Sequence, residues 1–450
     1  MSRRALPLAF GLLLASCKKP APAPMPEEAA ELPKAPPPAA SGPTTASAPK
    51  AEGPHRCTPL SPEPPFVLGP NDTGRAPTVK ATPPGAEPSS VENLPFAAEV
   101  GEGVAYGEGF AVGAIHESDS SHSLSVVTLD RTGHGAKVLP LGNAHGDVEP
   151  PRVAARGSTL IAGVLTPGIN GRMLRLAKIE AGNVAWGATI PQKSDESQAF
   201  DIGVGEKRGI AVWDEDGPTT GVIQASTFDA TNATGASMPR PISPNGVDAE
   251  SPRLAARPGG GYWLAYIARR AGGESPEAGY EADPVGFRWV EVIALDPQGS
   301  PTGPARAAMS KDAHVMVFDI TSLEDGNALV VWRDNDTPLE SAAGPVMRTV
   351  VRPSSVEPSQ VLVSSENGGG APSLLAGWVV VTDAADTTRL APMGKGGEVQ
   401  GAWSTEPEIG SGEPIAVGPE GLLVAKPAGR AVKLAVLRCS RDLPGGSPAP

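Results

Sequence analysis

Beyond its first sixteen residues the chain alternates short apolar runs with turn-forming residues and shows no sustained helical periodicity. Leu160 to Leu165, Tyr262 to Ile267 and Trp378 to Val381 are typical runs, each bounded by Gly, Pro, Asp or Asn. Brief apolar runs punctuated in this way predict strands. Three further runs, Leu124 to Leu129, Met173 to Ile179 and Trp289 to Leu295, lead into Asp130…Gly133, Glu180…Gly182 and Asp296…Gly299. In tight turns an acidic or amide side chain bonds local backbone, and Gly accepts positive φ. With 54 Gly and 51 Pro in 450 residues, turns are plentiful and long helices are disfavoured. The expected fold class is all-β.

The strands repeat. Pro151-Arg-Val-Ala-Ala-Arg156 returns as Pro252-Arg-Leu-Ala-Ala-Arg257, and weaker copies open at Ala371 and Glu413. Between them lies a second version, Phe200-Asp201-Ile202 before Gly209 to Trp213, and Phe318-Asp319-Ile320 before Ala328 to Trp332. A degenerate copy spans Ala97 to Ile115. Openings near Ala97, Pro151, Phe200, Pro252, Phe318, Pro372 and Pro414 mark about seven units, most spaced by about fifty residues. Four strands per unit at that spacing resemble the blades of a β-propeller. Neither a WD-dipeptide pattern nor a kelch double-glycine pattern recurs from unit to unit. The resemblance implies a seven-bladed ring over residues 57–440, with six blades or two β-sandwich domains as alternatives. The last unit runs short after Leu437, so a segment around Cys57 to Leu68 is expected to complete it.

The N-terminus carries a separate signal. Arg3 and Arg4 precede an apolar run, Ala5 to Ala15, too short to cross a bilayer as a mature helix. It ends in Leu14-Ala15-Ser16-Cys17, which resembles the lipobox of bacterial lipoproteins. The resemblance implies a signal peptide over residues 1–16 and Cys17 acylated, with palmitate among its fatty acids. Lys18 after the cysteine is similar to the pattern sorted to the outer membrane. Residues 17–56 then form a Pro/Ala-rich linker that lacks the aromatic and branched residues a core needs. A disordered tail is expected over 441–450. Of three cysteines, Cys57 and Cys439 remain after Cys17 is assigned to lipid. An exported chain meets an oxidising compartment, so these two are expected to pair.

Charge and candidate chemistry change the picture little. The formal charge of −13 disfavours nucleic acid and anionic headgroups as partners. Asp214 and Asp216, and Asp334 and Asp336, resemble the start of calcium loops but lack the later bidentate Glu; turn chemistry accounts for them equally. Trp213, Trp332 and Trp378 sit at comparable places in their units, offering either a sugar-stacking funnel or packing between blades. Asp201 and Asp319 would face a central channel. The six histidines form no metal-ligand spacing, and no GxSxG elbow occurs. The reading is therefore a membrane-anchored, non-enzymatic module binding an envelope protein or glycan, with Arg269 to Arg288 as its contact loop and no cofactor beyond a possible calcium ion. A propeller-type polysaccharide hydrolase or lyase and an envelope scaffold subunit stand as alternatives.

Overall fold

The computed structural model describes residues 56–63, 65–69, 98–117, 122–144, 148–168, 171–192, 199–217, 220–270, 287–335, 344–364, 370–383 and 387–441. Every regular element among them is a strand. The strands form seven antiparallel sheets, six of four strands and one of five. The innermost strands of blades 1 to 7 are Ala98–Tyr106, Arg152–Arg156, Phe200–Val204, Val247–Ala256, Val315–Ser322, Gly370–Leu375 and Glu413–Val417. Each packs beside the next, and the seventh returns to the first. The fold is a seven-bladed β-propeller, as the repeats predict, and the alternatives of six blades and two sandwiches fall.

The second strands explain why the apolar runs are continuous instead of alternating. Ile210 to Trp213 and Leu329 to Trp332 are at most 1% exposed, because a blade is covered on both faces by its neighbours. The core is correspondingly a series of layers between adjacent sheets. One layer sets Trp263 and Val292 of blade 4 against Phe318 and Trp332 of blade 5. Another sets Leu174 and Leu176 of blade 2 against Phe200 and Trp213 of blade 3. Where backbones approach closest, only glycine fits: a Cβ on Gly113 of blade 1 would collide with the backbone of Pro151 in blade 2.

Ring closure uses chain from both ends of the domain. Blade 7 consists of Glu413–Val417, Leu422–Ala428 and Ala431–Cys439, with Cys57–Pro59 added outside, Cys57 opposite Cys439. Phe66–Leu68 pairs farther along the same third strand. The Cys57–Cys439 disulfide is present, as expected. Glu406, 1% exposed, adds a second clasp, its carboxylate accepting the Arg56 and Cys57 amides at 2.9 Å each. Hydrogen bonds from two backbone N–H groups satisfy this buried side chain and tie the first strand to the segment before blade 7.

The antiparallel order sorts the connections by face. Turns from first to second strands are two to five residues long and lie on one face. Second strands end and third strands begin at the opposite, upper face. Innermost strands begin at this upper face. The proposed contact loop falls mostly outside the described residues.

Candidate functional site

The innermost strands are short of apolar residues at their channel-facing positions, and charged side chains stand there. Blade 1 contributes Glu102, blade 2 Arg152, blade 3 Asp201, blade 4 Arg253, blade 5 Asp319 and blade 7 Glu413. Arg152 and Arg253 are the arginines of the two PRxAAR copies. The motif that marks the repeat therefore also charges the channel.

Glu102 is the hub. Its Oε1 lies 2.9 Å from Arg253 Nη1, and its Oε2 lies 3.4 Å from Arg152 Nη1. Blades 1, 2 and 4 thereby share one carboxylate. The Glu102 side chain is 57% exposed although protein surrounds it, because the water it meets is channel water. Crowding by the walls pushes its carboxyl up, but the two guanidinium groups prevail and hold it below the usual range. Burial opposes the charge on Arg253, yet Glu102, Asp201 and Asp319 raise its affinity for the proton.

Asp201 and Asp319 occupy equivalent places. Phe200 pairs with Trp213 and Asp201 with Val212; Phe318 pairs with Trp332 and Asp319 with Val331. Each carboxyl accepts its own next amide, from Ile202 at 2.8 Å and from Ile320 at 2.7 Å. Each also accepts an amide from the following blade, Leu254 at 2.7 Å for Asp201 and Leu374 at 2.6 Å for Asp319. These bonds tie blade 3 to blade 4 and blade 5 to blade 6. They also fix the orientation of both carboxyls. Burial raises the Asp201 carboxyl, Arg152 and Arg253 pull against it, and Glu102 adds to the rise. Burial and then the Glu102 charge push Asp319 up to about 7, against Arg253 and its two amide bonds. Glu413 is raised as well, by burial and by Glu102.

At the upper end of the channel Asp214 accepts the Ser251 amide at 3.0 Å, while its other oxygen has no hydrogen-bond partner. Burial and then Glu250 and Glu149 raise it to about 6, the Ser251 bond opposing. Ser251 is held at φ +55°, beside a bulge between Glu250 and Arg253.

The remaining expected site residues lie elsewhere. Asp214 and Asp216 belong to the paired strand Arg208–Asp216, and Asp334 ends Ala328–Asp334, so none sits in a loop that wraps an ion. Asp336 and Cys17 fall outside the described residues. Among the described residues no group of three or more His, Cys, Asp or Glu side chains converges as a metal site would require. The funnel reading of Trp213, Trp332 and Trp378 is corrected: they are 0%, 1% and 4% exposed, packed between blades, and present no face to a sugar. Glu102, Arg152 and Arg253 were not singled out from the sequence. Two cavities, of about 460 and 410 Å³, are lined by residues toward the outer strands.

No protein-family model matches the chain, and no curated protein is similar to it. Solved structures with a similar fold include the α-L-arabinofuranosidase of Fusarium graminearum with arabinobiose. It is 10% identical over 76% of this chain and 93% of that one, with a TM-score of 0.41. The α-L-arabinanase of Penicillium chrysogenum is 10% identical over 68% and 93%, with a TM-score of 0.41. The polysaccharide lyase Uly1 is 10% identical over 87% and 100%, with a TM-score of 0.47. At these values the likeness is one of fold. These neighbours are named as glycosidases and a lyase, the class held as the alternative, and the expectation of a non-enzymatic binding module is not carried forward.

Proposed function

We propose that the protein is a carbohydrate-active propeller that hydrolyses glycosidic bonds at the upper mouth of its central channel. One observation carries this reading: two carboxyl groups in one channel are driven apart in acidity, Glu102 held down by Arg253 and Arg152 and Asp319 raised to about 7. Environments that separate neighbouring carboxyls in this way assign an acid and a base. Asp319, protonated below neutrality, would give its proton to the leaving oxygen. Glu102, ionised, would activate water or steady the positive charge that develops on the sugar ring. Asp201 and Asp214 border the same space and would bind sugar hydroxyls. Hydrolysis is favoured over elimination because both channel arginines are already engaged by Glu102, leaving neither to neutralise a uronate.

Reducing-end release from a panel of neutral and acidic polysaccharides tests the reading. Glu102→Gln and Asp319→Asn should each lower the rate by about 10²–10⁴-fold while both variants still unfold cooperatively above the assay temperature. Wild-type rates in both folded variants, or no turnover on any substrate, would sink it.

The Leu14-Ala15-Ser16-Cys17 motif supports a second part of the proposal, a lipid anchor at Cys17 holding the propeller to the bacterial envelope at the outer membrane. Cys17→Ser should move the protein from the membrane to the soluble fraction and abolish labelling by palmitate. Labelling that survives the substitution would refute the anchor. An envelope partner bound alongside is part of the same proposal, and pull-down from solubilised membranes tests it.

A further inference from the structure

The outer strand of blade 2, Asn183–Pro191, holds an exposed aromatic residue that neither the core nor the channel uses. Its pairing runs regularly to Trp186 opposite Ala177, then slips and resumes at Thr189 opposite Arg175. A bulge of this kind redirects side chains. Here it is pressed against blade 3: Ala188 donates to the Ala233 carbonyl at 2.7 Å, and a Cβ on Gly187 would collide with that backbone. The bulge is therefore fixed from behind. Trp186 leaves on the other side and is 39% exposed, whereas Trp213, Trp263, Trp289 and Trp332 are at most 2% exposed. The Arg175 guanidinium stacks on one face of the indole, 3.9 Å from the ring centre. The ring is thus held in place with part of its surface open to solvent.

Arg175 also lines a cavity of about 410 Å³ between the outer parts of blades 1 and 2, together with Asn143, Thr166 and Thr189 and the apolar Pro167 and Met173. A guanidinium, one amide and two hydroxyls around a small concave space, with an oriented indole stacked on the guanidinium beside it, suit a sugar. Its C–H face stacks on the aromatic ring and its hydroxyls exchange hydrogen bonds with the amide and the hydroxyls. A protein partner would need about 800 Å² of its own surface buried, which so small a concavity does not offer. Arg175 is already spent on the indole and the chain is acidic overall at −13, so a polyanion gains little here.

The placement adds a direction. Strand polarity puts Asn143, Thr166 and Thr189 at the upper face, where the innermost strands begin. Blades 1 and 2 also supply Glu102 and Arg152. Three strand spacings, about 14 Å, separate an outer strand from the channel wall, a distance a few sugar residues cover.

We infer that Trp186, Arg175 and the cleft beside them form an outer subsite for a neutral, linear polysaccharide whose continuation reaches the channel. The continuation rests on the hydrolase reading; binding at the cleft does not. Affinity electrophoresis of the full chain in gels containing linear arabinan, xylan, mixed-linkage β-glucan or polygalacturonate tests it, with Asp319→Asn as the background so that the gel glycan stays intact. At least one neutral glycan should retard the protein and polygalacturonate should not. Trp186→Ala and Arg175→Ala should each weaken retardation tenfold or more, Trp186→Tyr should restore most of it, and Met238→Ala, exposed on blade 3, should leave it unchanged. Melting temperatures within a few degrees of the parent show that the variants are folded. Retardation by none of the four glycans, stronger retardation by polygalacturonate, or Trp186→Ala running like its parent would overturn the subsite. If turnover fails while retardation depends on Trp186, the channel reading alone is lost. If turnover holds while retardation ignores Trp186, the subsite alone is lost.

Discussion

Replacing Asp319 by Asn should make the stability of this propeller depend less on pH, in a direction the channel dictates. The carboxyl moves from an ordinary value of 3.8 to about 7 on folding. At about 1.4 kcal/mol per unit this corresponds to about 4 kcal/mol at face value. Channel water reaches the partly exposed side chain and screens it, so about 1–2 kcal/mol is the working figure. For an acid whose folded value is raised, the stability contribution is complete below about pH 4. It is lost as pH rises from there to about 7, and is flat above. Asn carries no charge at any pH, so the variant lacks this loss. It does leave one of the Leu374 and Ile320 amides facing an NH₂ group, a defect of about 1–3 kcal/mol at every pH. The variant should therefore be clearly weaker than wild type at pH 4.5, and the gap should close by about 1–2 kcal/mol at pH 8. Urea unfolding followed by tryptophan fluorescence from pH 4.5 to 8.5 measures both. A gap that stays constant within a few tenths of a kcal/mol, or widens toward pH 8, would refute the placement of a protonated carboxyl in the channel.

Three other outcomes follow from packing and closure. Cys57→Ser, which opens a link spanning 382 residues, should cost up to about 5 kcal/mol and should make urea unfolding insensitive to reductant. Glu406→Gln keeps the shape but loses the charge that holds the Arg56 and Cys57 amides, and should lower stability by about 1.5–3 kcal/mol; an unchanged urea midpoint would contradict this. Gly113→Ala should force blades 1 and 2 apart, lowering the melting temperature by several degrees more than an Ala at the open position Gly303 does.

The shape of this molecule was readable in the chain because it is repeated. PRxAAR and the Phe-Asp…Val-Trp pairings each recur at a step of two blades, offset from one another by one, and the shortfall after Leu437 pointed to Cys57–Leu68 as the missing edge. The channel was legible only in part. Asp201 and Asp319 stood out because they repeat, but Glu102 lay in the most degenerate copy, where no motif flagged it. Arg152 and Arg253 were read as marks of architecture, since a sequence shows that an arginine recurs but not which way it points. The calcium and funnel readings met the opposite difficulty. Asp-rich strand ends and tryptophans at strand ends look alike whether they face solvent or a neighbouring blade. Trp186 needed its bulge and its arginine to be seen.

The closing strand has a consequence for how the protein is made. Cys57 is synthesised early and its partner Cys439 is 382 residues away. At about 5–20 residues per second, roughly 20–75 seconds of translation separate the two. During that interval six blades can stack while the seventh waits, and the Cys57 thiol stays open to any other thiol it meets. The last bond to form is thus the one whose first half appeared earliest. Wherever the chain folds, that half must stay reduced and unpaired until the end of the chain arrives.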